Sequence, residues 1–216
     1  LKYIKAYESF DNTMILYHGS PNKFNKFSLD NFRKTSNMSD HGYGIYLTDS
    51  KSNAEFYSKG GYIYKVEVDK DINLYDWNGK LTQNLIDTVS KVALDMNIIE
   101  QDLLDQINSV DRSIKNETGT VVGYDNFRNK HGVDKLRMYR IFENIRPQDK
   151  YPMTYDEWYG NLSESVFDSM KETSEFLIKC GIDGAYFKEK NVDSITYIIY
   201  DIGKVNISTS SLSKEK

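Results

Sequence analysis

The chain has 216 residues, and 39 % of them are hydrophobic, which is one domain's length at roughly 150 residues each and enough for a packed core. Its 28 Lys and Arg against 32 Asp and Glu leave a net charge of −4, which excludes an affinity for duplex DNA or anionic membrane built on excess cations. No apolar run approaches the ~20 residues that cross a bilayer, and the opening LKYIKAYESFDN lacks the apolar stretch of a signal peptide. A single cysteine, Cys180, excludes an internal disulfide framework, and His18, His41 and His131 are too far apart for a paired-histidine metal site. A soluble protein of a reducing, cytoplasmic compartment without metal is expected.

Residues 14–18 form a short apolar run stopped by the turn cluster Gly19-Ser20-Pro21, which predicts a strand. A second strand is predicted over 43–48, after a polar, Asn/Ser-rich loop. A third is predicted over 62–68, where a continuous apolar run gives way to alternation. Between the last two, Ser52 with Glu55 three residues on has the pattern of a capping box and predicts a short helix starting there, with Thr48 and Asp49 as further cap candidates. After Thr82, a cap candidate, Leu85, Val89, Val92, Ala93 and Met96 recur at helical spacing, and Ile99, Leu103 and Ile107 extend the pattern. The segment 115–135 has no clear period and contains Gly119, Gly123 and Gly132, so it reads as a loop. A further helix is predicted from Asn161, boxed with Glu164, through Leu162, Val166, Met170 and Leu177 to a stop at Gly181. Strands return over 184–187, 195–200 and 205–207, and the polar tail 208–216 reads as disordered.

Strand-rich ends, 14–76 and 181–207, thus flank a helical insertion of about 77–180 that holds the whole acidic excess, 13 basic against 17 acidic groups. One α+β domain over 1–216 is expected, its sheet closed by segments distant in sequence.

Four segments stand out together: LYHGS (16–20), GYGIYLTDSKSNAEFY (42–57), CGIDGAYF (180–187) and TYIIYDIGKVNI (196–207). Singly each is ordinary, since a histidine at a strand end is more often structural than functional. In this order they resemble the ADP-ribosyltransferase fold of the diphtheria-toxin and poly(ADP-ribose) polymerase branch, with its bacterial and phage-borne relatives. The resemblance covers about half of the chain, chiefly 14–76 and 177–207. It implies a split pair of small β-sheets around an NAD cleft, with NAD as substrate and no metal. In that scheme His18 and Gly19 hold ribose and carboxamide, and Ser52 and Asn53 lie near the carboxamide. Tyr46 and Tyr57, 11 residues apart, close on the nicotinamide. Two electron-rich phenols suit a flat cationic ring, at about 0.5–2 kcal/mol each. Glycine at position 19 would let backbone N–H and C=O approach the carboxamide.

The sequence departs from the family where the polymerases carry a glutamate at the head of the last strand, because Thr196 stands there. A hydroxyl can bond a ribose but supplies no negative charge to an oxocarbenium-like centre, and losing one such contact costs ~2.7–4 kcal/mol of barrier. Of the nearby carboxylates, Glu189 and Asp193 precede the strand, whereas Asp201 faces away from Thr196 by strand alternation. A mono-ADP-ribosyltransferase is therefore expected, with His18, Tyr46 and Thr196 at the reacting end. The alternatives are a silent NAD- or ADP-ribose-binding or interaction module and an NAD-hydrolysing toxin. A protein acceptor is expected first. A nucleic acid is the second candidate, through the cationic, aromatic run 127–140, which reads more simply as a loop followed by a helix with a cationic face. Cys180 reads as a buried packing residue and His41 as a loop histidine flanking the pocket.

Overall fold

Alternating burial makes strands of the segments that close the core. β1 (Thr13–Ser20), β2 (Ile45–Thr48), β3 (Tyr62–Asp69), β4 (Leu74–Asp76), β5 (Gly184–Lys188), β6 (Ile195–Ile199) and β7 (Val205–Leu212) lie in one sheet ordered β4-β5-β6-β2-β1-β3-β7. This is a computed structural model, and it describes residues 13–31, 41–145, 153–188 and 193–212. Helices α1 (Lys51–Ser58), α2 (Gln83–Asp95), α3 (Gln101–Asn108), α4 (Val122–His131), α5 (Val133–Ile141), α6 (Tyr155–Ser165) and α7 (Met170–Lys179) complete an α+β architecture.

The expected pair of separate sheets is replaced by a single mixed sheet with a weak centre. β1 and β3 share eight register pairs, from Thr13↔Asp69 to Ser20↔Tyr62, and β2 and β6 share four. β1 and β2 share one, Tyr17↔Thr48. All pairings are antiparallel except β4 with β5, whose parallel alignment needs a long crossover, supplied by the helices between them.

Each face of the sheet has its own apolar cluster. Leu16, Ile45, Leu47, Tyr64, Val66, Val68, Ile199 and Val205 pack with Phe27 on one. On the other, Ala185, Ile198 and Tyr200 join the helical residues Leu85, Val89, Trp158, Leu162 and Leu177, with Tyr46 packed against them. The neighbours Ile198 and Ile199 therefore go to opposite clusters, as a period of two requires.

Four expectations about elements change. The single helix drawn from 161 to 181 is two helices: Thr154 and Glu157 form the capping box of α6, and α7 restarts at the Ser169 cap after Asp168 in the left-handed region (φ 51°). The 115–135 loop holds α4, hidden from periodicity because Tyr124 and Phe127 are its buried residues, and Gly132 (φ 93°) separates it from α5. α1 is capped by Ser50, whose hydroxyl accepts from the Asn53 N–H, and not by Ser52. Residues 208–212 of the tail belong to β7, because β3 offers them an open backbone edge: Tyr62 pairs with Leu212 despite the polar sequence. Residues 213–216 lie outside the described residues. Thr82 caps α2 as expected, accepting from Leu85 N–H at 3.3 Å.

Candidate functional site

The site grows from the separation of β1 and β2. One step past the Tyr17↔Thr48 pair, the His18 side chain bonds β2 directly: Nδ1 lies 2.8 Å from the Tyr46 carbonyl oxygen. A carbonyl only accepts, so Nδ1 carries the proton and, in the neutral ring, Nε2 carries a lone pair. The ring sits among aromatics, edge-on to Phe24 at 5.8 Å and Phe27 at 5.3 Å and tilted to Tyr64 at 6.1 Å. Tyr64 also fastens the loop that supplies these walls. Its hydroxyl accepts from the Phe24 N–H at 2.7 Å and donates to the Asn22 carbonyl at 3.2 Å, and its ring stacks on Phe24 at 4.0 Å. Burial holds the His18 imidazole below its ordinary pKa of 6.5, against the opposing pull of the Tyr46 carbonyl. At neutral pH the ring is an uncharged acceptor.

A pH prediction follows. As pH falls below 6.5, the unfolded chain takes up a proton that folded His18 refuses, so stability is lost toward acid. Asparagine places an amide N–H near the Nδ1 position and does not titrate. Thermal melts at pH 7 and pH 5 are expected to show a smaller acid loss for His18→Asn than for the wild type.

Gly19 is held from the other side. A Cβ there would lie 1.9 Å from the Ala54 carbonyl oxygen and 2.7 Å from the Ser58 nitrogen, so α1 rests its backbone directly on β1. The missing side chain, expected to admit a ligand, is first what admits the helix. That contact fixes α1, which carries Asn53 and Tyr57 one turn apart. Asn53 is buried and donates from Nδ2 to Ser194 Oγ at 3.1 Å, tying α1 to the head of β6. Tyr57 is half-buried, with its ring edge-on to Phe56 at 5.4 Å. Ser52 is exposed at the first turn, its hydroxyl 2.9 Å from that of Ser50.

Tyr46 is half-buried on β2, and its hydroxyl donates to the Gly42 carbonyl at 3.0 Å. Thr196 is buried on β6, in register with Thr48 on one side and Phe187 on the other. Tyr46 is in register with Ile198, two residues along, so Tyr46, Thr48, Thr196 and Phe187 share one face. The structure thus gathers Thr196, Asn53 and Ser194 at the head of β6, with Tyr46 along β2. His18 reaches the group through the Tyr46 backbone, while its ring lies in the aromatic pocket of the opposite cluster.

The nearby carboxylates are engaged away from Thr196. Asp193 is exposed and paired with Lys188 at 2.9 Å, which holds its carboxyl below the usual range. Asp201 caps the short 3₁₀ turn Ile202–Lys204, accepting from the Gly203 N–H. Glu189 lies outside the described residues. The acid that does reach the head of β6 is Asp49, whose Oδ1 accepts from the Ile195 N–H at 2.9 Å. Its charge raises the Tyr197 pKa behind the larger effect of burial, so it serves the Tyr197 side of the strand. Its neighbours in sequence suggest only a helix cap, because a strand–strand tie between 49 and 195 leaves no local signal.

The run 127–140 spans the end of α4 and most of α5, and several of its cations are paired with acids. Arg128 pairs with Asp125 at 2.8 Å, Lys135 with Glu100 at 2.7 Å, and Arg140 lies 4.0 Å from Glu143. Two cavities, of about 510 and 490 Å³, flank residues 25–30 next to Ile202, and neither is lined by Tyr46 or Thr196. Among the described residues no cluster of His, Cys, Asp and Glu could hold a metal ion, and no helix is long and apolar enough to cross a membrane. Comparison with protein-family models, curated proteins and solved structures gives no significant match.

Proposed function

We propose that the protein binds NAD at the opening between β1 and β2 and moves its ADP-ribose unit to an acceptor, releasing nicotinamide. The observation that carries this reading is the His18–Tyr46 bond. It leaves an uncharged imidazole with an Nε2 lone pair, the form that accepts a hydrogen bond from a ribose hydroxyl. The likeness of the four segments to the ADP-ribosyltransferase fold supports the same reading, as does a sheet divided at its centre by a single register pair. In this reading the Tyr46 and Tyr57 rings take the nicotinamide, Gly19 backbone groups and Ser52 or Asn53 its carboxamide, and the Thr196 hydroxyl the second ribose.

With a hydroxyl in place of a carboxylate at position 196, single transfer is favoured over chain growth. Neutralised cations on α4 and α5 favour a protein acceptor over a nucleic acid. A second reading, NAD binding without turnover, draws on the same buried Thr196 opposite Thr48.

Incubation with NAD labelled in both halves tests both readings. Transfer releases nicotinamide and labels an acceptor in a bacterial lysate, binding alone gives saturable calorimetric heat without release, and the absence of both outcomes overturns an NAD function. His18→Phe keeps an aromatic ring and removes the acceptor nitrogen. Its kcat/KM for NAD is expected to fall about 10- to 100-fold, the effect of one buried hydrogen bond left unmade (~1–3 kcal/mol).

A further inference from the structure

Among the described residues, the buried polar atoms without a hydrogen-bond partner include His41 Nδ1 and Trp77 Nε1 beside this site, together with the Tyr155 and Tyr200 hydroxyls of the same cluster. His41 and Trp77 are neighbours, with the rings edge-on at 5.6 Å, and Trp77 is only 2 % exposed. A buried indole N–H without an acceptor is rare in folded proteins and calls for an explanation. Both belong to the Thr196 face. The His41 ring lies 4.5 Å from that of Phe187, the register partner of Thr196. His41 also precedes Gly42, whose carbonyl takes the Tyr46 hydroxyl and whose φ of 103° sets the turn. A Cβ at Gly42 would press on the Tyr159 ring at 3.1 Å, so the histidine's approach is fixed from both sides.

From this arrangement we infer that His41 and Trp77 form the acceptor subsite of the transferase, and that it selects a hydroxyl, the side chain of serine or threonine, with water competing for the same place. The inference rests on the NAD reading above. An indole N–H only donates, and Nδ1 without an acceptor nearby is best satisfied as a lone pair. A hydroxyl matches both at once, accepting from Trp77 and donating to His41. A carboxylate would set an acceptor against the imidazole lone pair, and a guanidinium would set a donor against the indole N–H. In the reaction the hydroxyl oxygen bonds to ribose C1′ as the bond from C1′ to the nicotinamide nitrogen breaks. That electron pair leaves with neutral nicotinamide, and the hydroxyl proton passes to His41 Nδ1 and on to solvent. His41 thereby supplies the proton acceptor, a role separate from the negative charge that Thr196 lacks.

The test is solvolysis of NAD by the full chain in water, in water with methanol, and in water with agmatine, with products separated by mass and NAD affinity measured by calorimetry. ADP-ribose and its O-methyl derivative are expected, with no agmatine adduct. His41→Phe preserves the ring packing and is expected to lower kcat for both products by about 10²–10⁴-fold, the range of general-base catalysis, with the NAD affinity unchanged. His41→Ala opens a space that free imidazole refills, and imidazole is expected to restore its rate, which a merely structural role would not allow. An agmatine adduct, or a wild-type rate in His41→Phe, overturns the subsite while leaving NAD turnover intact. NAD binding without release of nicotinamide also overturns it, and absence of binding removes the underlying NAD reading as well.

Discussion

Replacing Gly19 with alanine is expected to lower the melting temperature by about 6–12 °C and to dislodge the site with it. The added methyl would sit 1.9 Å from the Ala54 carbonyl oxygen and 2.7 Å from the Ser58 nitrogen, and both are backbone atoms that no rotamer change can move. Overpacking costs about 1–3 kcal/mol when side chains can yield. Here the whole of α1 must lift from β1, so about 3 kcal/mol is the expected loss, converted at roughly 2–4 °C per kcal/mol for a chain of this size. Because α1 carries Asn53 and Tyr57, its displacement should also break the Asn53–Ser194 bond that ties the helix to β6. Thermal denaturation followed by circular dichroism measures the effect, and Gly160→Ala provides the control. Gly160 lies inside α6 with nothing within 4 Å of where an added methyl would sit, so alanine there should stabilise by about 0.5–1 kcal/mol. Similar melting temperatures for the two variants would contradict the close approach of helix and strand.

Arg112→Ala is expected to cost about 3–5 kcal/mol, read as a fall in the urea midpoint at unchanged slope. The guanidinium lies 2.8 Å from Glu143 Oε1, and the Glu143 side chain is only 3 % exposed. Further help comes from the Tyr124 hydroxyl, which donates to that carboxylate at 2.7 Å, and from Arg140, 4.0 Å away and itself more than half exposed. Truncating the arginine removes the closest cation from a buried carboxylate while the Tyr124 hydroxyl stays, which places the expected loss toward the lower end of the range. The same surroundings, burial first and the Glu143 carboxylate next, push the Tyr124 phenol up to about 12. Arg112→Met combined with Glu143→Leu should recover most of the loss, since removing a buried pair together costs far less than removing one member. If the single and double variants lose equally, the pair is not what holds the segment after α3 to the end of α5.

Strands are legible in this sequence where burial alternates, and helices where an apolar stripe repeats. α2 and α3, each with three or more buried aliphatic or alanine side chains on one face, are readable for that reason. α4 is not, since its two buried residues are aromatics among Gly, Asp, Asn and Arg. β7 is hidden because an edge strand needs a partner's backbone more than apolar side chains of its own, and that partner, β3, is remote in sequence. Within the site, the motif residues lie on the elements expected of them. The ties that orient them do not show, because each joins distant segments: His18 to the Tyr46 carbonyl, Asn53 to Ser194, Asp49 to Ile195. His41 reads from sequence only as a loop histidine beside the pocket, and its link to Trp77 exists only once the chain has folded back onto β5.

The strand order has a consequence for the birth of the protein. β2 leaves the ribosome early yet takes β6 as its neighbour, and β3 must wait for β7, so neither early strand can complete its hydrogen bonds until residues 195–212 have been made. Before that point the early strands have the β1–β3 pairs and the single β1–β2 pair, with α1 lying against β1. Nascent chains are thus exposed to aggregation and to chaperone capture until these late strands emerge, and the β2–β6 face of the site cannot assemble before residues 195–199 do.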